Sequence, residues 1–127
     1  MVGNETGILV RQHRNYWAEK GRGLIDADYS SLYAVKDIIS RLGISSGYFR
    51  DMFRNEYGVT PKSYLMKVKI RAAKEILLHR STNVCEIAIE VGFAGRTTFG
   101  KAFKKFVGVA PSEFRRAVND YVIETRK

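Results

Sequence analysis

Residues 53–64, FRNEYGVTPKSY, return fifty positions later as FKKFVGVAPSEF in residues 103–114. Phe53 pairs with Phe103, Arg54 with Lys104, Gly58-Val59 with Gly108-Val109, Pro61 with Pro111 and Tyr64 with Phe114. Upstream of each copy stands an apolar stretch ending in glycine (Leu42-Gly43 and Val91-Gly92), then a short turn and a basic amphipathic segment. Two copies are too few for a solenoid, so the chain is read as a duplicated module. Helical periodicity and short turns make that module a helix-turn-helix. The fold class that follows is all-α: two helix-turn-helix subdomains, homeodomain-like, joined by a long central helix, about seven helices in all.

A chain of 127 residues has room for one domain or for two small subdomains sharing a helix. Its 45% apolar and 12% aromatic content suffices for compact cores. The single cysteine, Cys85, excludes an internal disulfide and fits a reducing compartment. No apolar run approaches the roughly 20 residues of a membrane span, and residues 1–15 lack the apolar core of a signal peptide. A soluble, cytoplasmic protein is expected. An enzyme finds no support, since there is no Gly-rich phosphate loop, no Ser/His/Asp or Cys/His set and no paired carboxylates on one face. His13 and His79 have no Cys or second His at ligand spacing, so neither a metal nor a cofactor is expected.

Charge is unevenly placed. Residues 1–33 hold Arg11, Arg14, Lys20 and Arg22 against Glu5, Glu19, Asp26 and Asp28, so the net charge of +9 lies wholly in residues 34–127. A basic excess confined to the repeated region points to a polyanionic partner, though solvated lysines alone produce the same balance.

Residues 6–20 have the pattern of an amphipathic helix, with Ile8, Leu9, Tyr16 and Trp17 as docking residues, and Gly21 and Gly23 weaken its continuation. Ser30-Ser31 is the expected cap of the next helix, whose inner face is Val35, Ile38, Ile39 and Leu42. Gly43 ends it. Ser45 is placed to cap a helix from Ser46 to Tyr57 with Phe49, Met52 and Phe53 inward. Gly58 closes that helix, and Thr60-Pro61 opens another, with a Thr cap followed by proline at the first helical position. This link helix is expected to reach His79, with Leu65, Val68, Ala72 and Ile76 as its main stripe and Ile70, Ala73 and Leu77 beside it. Its 19 residues span about 28 Å. Asn83 with Glu86 has capping-box spacing. Ile87, Ala88 and Val91 form the next core face, Gly92 to Gly95 the turn, and Arg96 to Phe106 the second helix of the second pair. A short last helix from Pro111 to Asn119 and a frayed tail complete the reading, which divides the chain into an N-terminal segment at 1–33, a repeated domain at 34–119 and a tail at 120–127.

In a helix-turn-helix the glycine after the first helix takes a positive φ, and a small residue four positions earlier lets the helices approach. Ala88 and Gly92 satisfy both requirements in the second copy. In the first copy Gly43 fits but Ile39 occupies the small-residue position. The second helix of each pair then offers its N-terminal polar residues to base edges in a major groove, and a link of about 28 Å suits two such helices spaced near one DNA turn of about 34 Å.

The residues from Val35 to Arg116 resemble the two-motif DNA-binding domain of the AraC/XylS transcription regulators. The resemblance is carried by LGISSGYFRDMFRNEYGVTPKSYL, by KIRAAKEILL and by IAIEVGFAGRTTFGKAFKKFVGVAPSEFRR. It implies seven helices, two helix-turn-helix units and binding to promoter DNA, most often as an activator in contact with RNA polymerase. By position it implies that the first recognition helix presents Ser46, Gly47, Arg50 and Asp51, with Tyr48 and Arg54 near phosphates. The second presents Arg96, Thr97, Gly100 and Lys101, with Thr98, Lys104 and Lys105 nearby. Asp51 departs from the pattern: it either accepts from cytosine N4 or pairs with Arg50 or Arg54. Gly47 carries no side chain for readout, and Ala94-Gly95 removes a polar cap. The family usually carries a sensor or dimerisation domain ahead of the repeat, and 33 residues are too few for one. Both a fragment of a larger regulator and a stand-alone short regulator are open, the former favoured.

Plainer readings stand beside these. Arg96 is either a guanine reader or a solvated arginine, Arg50 has Asp51 and Arg54 competing for it, and Lys101 divides between base and phosphate. Lys67, Lys69, Arg71 and Lys74 encircle the link helix and are mostly a solvated face. Cys85 reads as a packed small hydrophobe. Phe93, Phe99, Phe103, Phe106 and Phe114 are core rather than a stacking platform. The alternative function is a non-specific architectural or other nucleic-acid-binding protein, which would use the same charge without two tuned recognition helices.

Overall fold

The computed structural model describes residues 16–126, with side chains to Asp120. The expectations placed on residues 6–15, including Ile8, Leu9 and His13, lie outside the described residues. Seven α-helices and no strand are found among the described residues: α1 over 16–28, α2 Val35–Leu42, α3 Ser46–Tyr57, α4 Pro61–His79, α5 Val84–Glu90, α6 Arg96–Val107 and α7 Pro111–Arg126. A 3-10 turn, Tyr29–Ser31, follows α1. The chain divides into two compact units, one up to Leu65 and one from Met66, so α4 begins in the first and continues through the second.

In the first unit Ala18, Ile25, Leu32, Val35, Ile38, Phe49, Met52, Phe53 and Leu65 form the core. Contrary to the expectation from sequence, α1 runs straight through Gly21 and Gly23. The reason lies in packing: a Cβ at Gly21 would collide with the ring of Phe49, so the glycine is the point where α1 approaches α3. Arg22 and Asp26, one turn apart on α1, hold its flank. The Tyr64 hydroxyl donates to Asp26 Oδ1 at 2.6 Å and accepts from Arg22 Nε at 3.2 Å, while the guanidinium lies 5.0 Å from the Tyr57 ring centroid. Burial first, then the bond to Asp26, pushes the Tyr64 phenol above its ordinary range and keeps it a neutral donor.

The start of α2 also differs from expectation. Ser30 and Ser31 belong to the 3-10 turn, and the cap is supplied from inside the helix: Asp37 Oδ2 accepts from the backbone N–H of Tyr33 and of Ala34, each at 3.0 Å. Alanine at the cap position has no side-chain acceptor, and the carboxylate three residues on reaches back instead. Ser45 stands in cap geometry before α3 but its hydroxyl makes no cap bond. Thr60 does what its sequence context requires, its hydroxyl accepting from Ser63 N–H at 3.1 Å ahead of Pro61.

The second unit repeats the first around Ile70, Ala73, Leu77, Ile87, Ala88, Val91, Phe93, Phe99 and Phe103. The aromatic ladder is reproduced: Phe49–Phe53 and Phe99–Phe103 both have centroids 5.7 Å apart, and Phe53–Tyr64 and Phe103–Phe114 both 5.6 Å. Lys74 stands 5.8 Å over Phe114 much as Arg22 stands 5.7 Å over Tyr64. The duplication thus reaches back to α1, whose Gly21, Arg22 and Ile25 match Ala73, Lys74 and Leu77 of α4, a correspondence too weak in residue identity to be seen in the sequence.

Four further expectations are corrected. The buried stripe of α4 is Leu65, Lys69, Ile70, Ala73 and Leu77, whereas Val68, Ala72 and Ile76 are half-buried. Lys69 is not solvated but fully buried, donating through Nζ to the Gly92 carbonyl at 2.5 Å and lying 5.3 Å from the Phe93 ring centroid. Cys85 is exposed rather than packed, and α7 continues past Asn119 to Arg126. Asn83 caps α5, accepting from Glu86 N–H at 2.9 Å. The first arginine of the closing Arg115-Arg116 pair ties the second copy together. Its Nη2 donates to the Arg80 carbonyl at 3.0 Å, just past the end of α4.

Candidate nucleic-acid interface

Each unit contains a helix pair in the predicted register, α2 with α3 and α5 with α6. Gly43 follows α2 with φ 70° and Gly92 follows α5 with φ 96°, conformations that a β-carbon resists. Ala88 is fully buried where α5 meets its neighbours, and Ile39 in the same place on α2 is half-buried. The turn before α6 is held from beneath by Lys69. Its ammonium satisfies a carbonyl that the end of a short helix would otherwise leave unpaired, and its four-carbon stem fills core space.

The buried faces fix which residues look outward. On α3, Phe49, Met52 and Phe53 point inward, leaving Ser46, Gly47, Tyr48, Arg50, Asp51 and Arg54 exposed. On α6, Phe99 and Phe103 are buried, and Arg96, Thr97, Thr98, Lys101, Lys104 and Lys105 are exposed, with Gly100 half-buried. Thr97, Lys101 and Lys104 share one stripe at helical spacing. Ion pairs do not consume these side chains: among the described residues the pairs are Arg22–Asp26, Arg41–Asp28, His79–Glu75 and Arg80–Glu90. Asp51 therefore forms no ion pair with Arg50 or Arg54, and its side chain is exposed on the surface of α3.

The two recognition candidates differ electrostatically. The helix α6 carries Arg96, Lys101, Lys104 and Lys105 and no acidic residue, whereas in α3 Arg50 and Arg54 are balanced by Asp51 and Glu56. A polyanion is attracted to α6 far more strongly than to α3 alone. Gly95 at the cap of α6 makes no side-chain cap bond, so the first N–H groups of that helix have no capping side chain there.

A helix-turn-helix domain model matches residues 38–117, which spans both helix pairs. The chain belongs to the AraC/XylS family of helix-turn-helix transcription regulators. The Msm operon regulatory protein of Streptococcus mutans is 31% identical over 97 residues, covering 76% of this chain and 35% of that protein. Among solved structures, the C-terminal domain of AraT, a response regulator from Geobacillus stearothermophilus, is 29% identical with a TM-score of 0.76, covering 80% of this chain and 84% of that one. The DNA-binding domain of AdpA, solved in complex with a target DNA, shares the fold at a TM-score of 0.73 and 22% identity, covering 83% of this chain and 94% of that one. The chain spans about a third of the length of the curated relatives it matches. No helix among the described residues is long and apolar enough to cross a membrane.

Proposed function

We propose that this chain is the DNA-binding part of a cytoplasmic transcription activator that reads two successive major-groove segments of a promoter, one with α3 and one with α6. The observation that supports it is the presence, twice in one chain, of a helix pair whose second member exposes its polar N-terminal residues. In this reading Arg96 donates to a guanine, and Thr97 and Lys101 contact neighbouring bases. Thr98, Lys104 and Lys105 hold the phosphate backbone beside α6, and Arg54 and Tyr48 do so beside α3. Ser46, Gly47, Arg50 and Asp51 face the other segment, Asp51 as an acceptor for cytosine N4. A sensor or dimerisation domain works with this part in the larger regulator, and RNA polymerase is its partner at the promoter.

Selection from random duplex DNA followed by footprinting tests this. The expected product is one asymmetric site of roughly 15–20 base pairs, protected on two groove segments about one turn apart by a single chain. Affinity for it should exceed that for random duplex by about 10³ or more at physiological salt. Failure to enrich any sequence would support an architectural protein instead, and a palindrome requiring two chains would exclude the two-segment monomer.

A further inference from the structure

A cleft of about 630 Å³ opens in the first unit beside α3, with four basic residues in its lining. Lys36 reaches it from the first turn of α2, Arg50 and Arg54 from α3, and Lys62 from the first turn of α4, with Asp51 the one acidic residue in the lining. All five side chains are exposed, and none is in an ion pair among the described residues. Four cations against one carboxylate, drawn from three helices to the lining of one cleft, give it a local positive potential that attracts an anion.

A second basic cleft, of about 400 Å³, lies on α4 in the second unit, where Lys67, Arg71 and Lys74 stand with Glu75, but the place matching the first cleft lacks its flanking lysines. Counting from the matched glycines Gly43 and Gly92, Lys36 corresponds to Cys85. Counting from Pro61 and Pro111, Lys62 corresponds to Ser112. The two flanking lysines are therefore particular to the unit whose recognition helix carries no net charge of its own. We infer that this cleft is a phosphate clamp: Lys36 and Lys62, with Arg54 between them, grip a phosphodiester of the DNA backbone at the edge of the groove that α3 enters. The two units then divide the work. The first anchors the chain through backbone charge, and the second, with its uniformly basic α6, supplies most of the sequence discrimination. This rests on the reading of the chain as a duplex-DNA binder and adds to it two residues outside both recognition helices.

The test compares the full chain with two double variants on the selected duplex and on random duplex, over a range of salt. Lys36→Ala/Lys62→Ala removes the clamp. Lys67→Ala/Arg71→Ala removes the same charge from exposed positions of α4 outside the cleft. Because all four side chains are exposed, thermal melts should be unchanged, which keeps folding out of the comparison. The clamp variant should lose close to one from the slope of log affinity against log salt, about 0.9 for the single phosphate released, and roughly tenfold in affinity at about 0.1 M salt, equally on both duplexes. The control should keep the wild-type slope. Methylphosphonate replacement at the clamped phosphate should weaken the wild type and leave the clamp variant indifferent. An unchanged slope in the clamp variant, or an equal fall in the control, would overturn the inference. Loss of sequence selection in the wild type itself would instead remove the parent reading, whatever the slopes show.

Discussion

Arg96 and Lys104 lie on the same helix, both exposed and both outside any ion pair among the described residues, and the proposed docking of α6 assigns them different roles. A residue at the N-terminal end reaches base edges, and one two turns later meets backbone. Arg96→Ala should cost about 1–3 kcal/mol on the preferred site and relax selection at one position, with random-duplex affinity nearly unchanged. Lys104→Ala should weaken all duplexes alike and lower the salt slope by about one. Equal loss on specific and random DNA for Arg96→Ala would make it a backbone contact only. Lys69 tests a different physical effect. Truncating this buried side chain removes a filled volume and leaves the Gly92 carbonyl without its donor. Lys69→Ala should destabilise by about 2–4 kcal/mol, read as a lower urea midpoint by circular dichroism, and Lys69→Arg, which keeps a donor, should recover part of the loss.

At the scale of helices, two glycines predict opposite outcomes for one substitution. Within a helix, Gly→Ala gains about 0.5–1 kcal/mol of propensity. At Gly100 the added Cβ meets nothing within 4 Å, so Gly100→Ala should raise the melting temperature by the full amount. At Gly21 the Cβ enters the ring of Phe49, which is fully buried and braced by Phe53, so the ring has nowhere to retreat. Overpacking of that kind costs about 1–3 kcal/mol and outweighs the propensity gain. Gly21→Ala should therefore lower stability, and the fluorescence of Trp17, the only tryptophan, reports the change from the same helix. A stabilised Gly21→Ala protein would mean that α1 does not pack on α3 as described.

For the molecule as a whole, a net charge of +9 and two exposed recognition candidates make binding strongly dependent on salt. Roughly five phosphate contacts, from Tyr48, Thr98, Lys104, Lys105 and the clamp of Lys36, Arg54 and Lys62, would give a slope of about −4.5 and a loss of roughly 500-fold between about 50 and 200 mM salt. Titration of a fluorescent duplex over a series of salt concentrations measures it. A slope near zero would separate the charge of the chain from its binding.

The residues alone determined the duplicated all-α architecture, because repeat, proline position, glycine stops and the 3.6-residue apolar period are local signals that point the same way. They also picked out the exposed faces of α3 and α6, since a core made of Phe49, Met52, Phe53, Phe99 and Phe103 leaves only one outward side. What they could not decide were matters settled between segments distant in sequence. Gly21 reads as a helix breaker until the ring of Phe49 is placed against it. Lys69 reads as one more lysine on a basic helix until the Gly92 carbonyl, 23 residues on, is seen at its ammonium. Lys36 and Lys62 look like scattered surface charge until the first turns of α2 and α4 are brought to the same cleft as Arg54. Periodicity specifies which face of a helix is buried, but only tertiary packing decides what that face meets, and the physical role of a glycine or a lysine is set by what it meets.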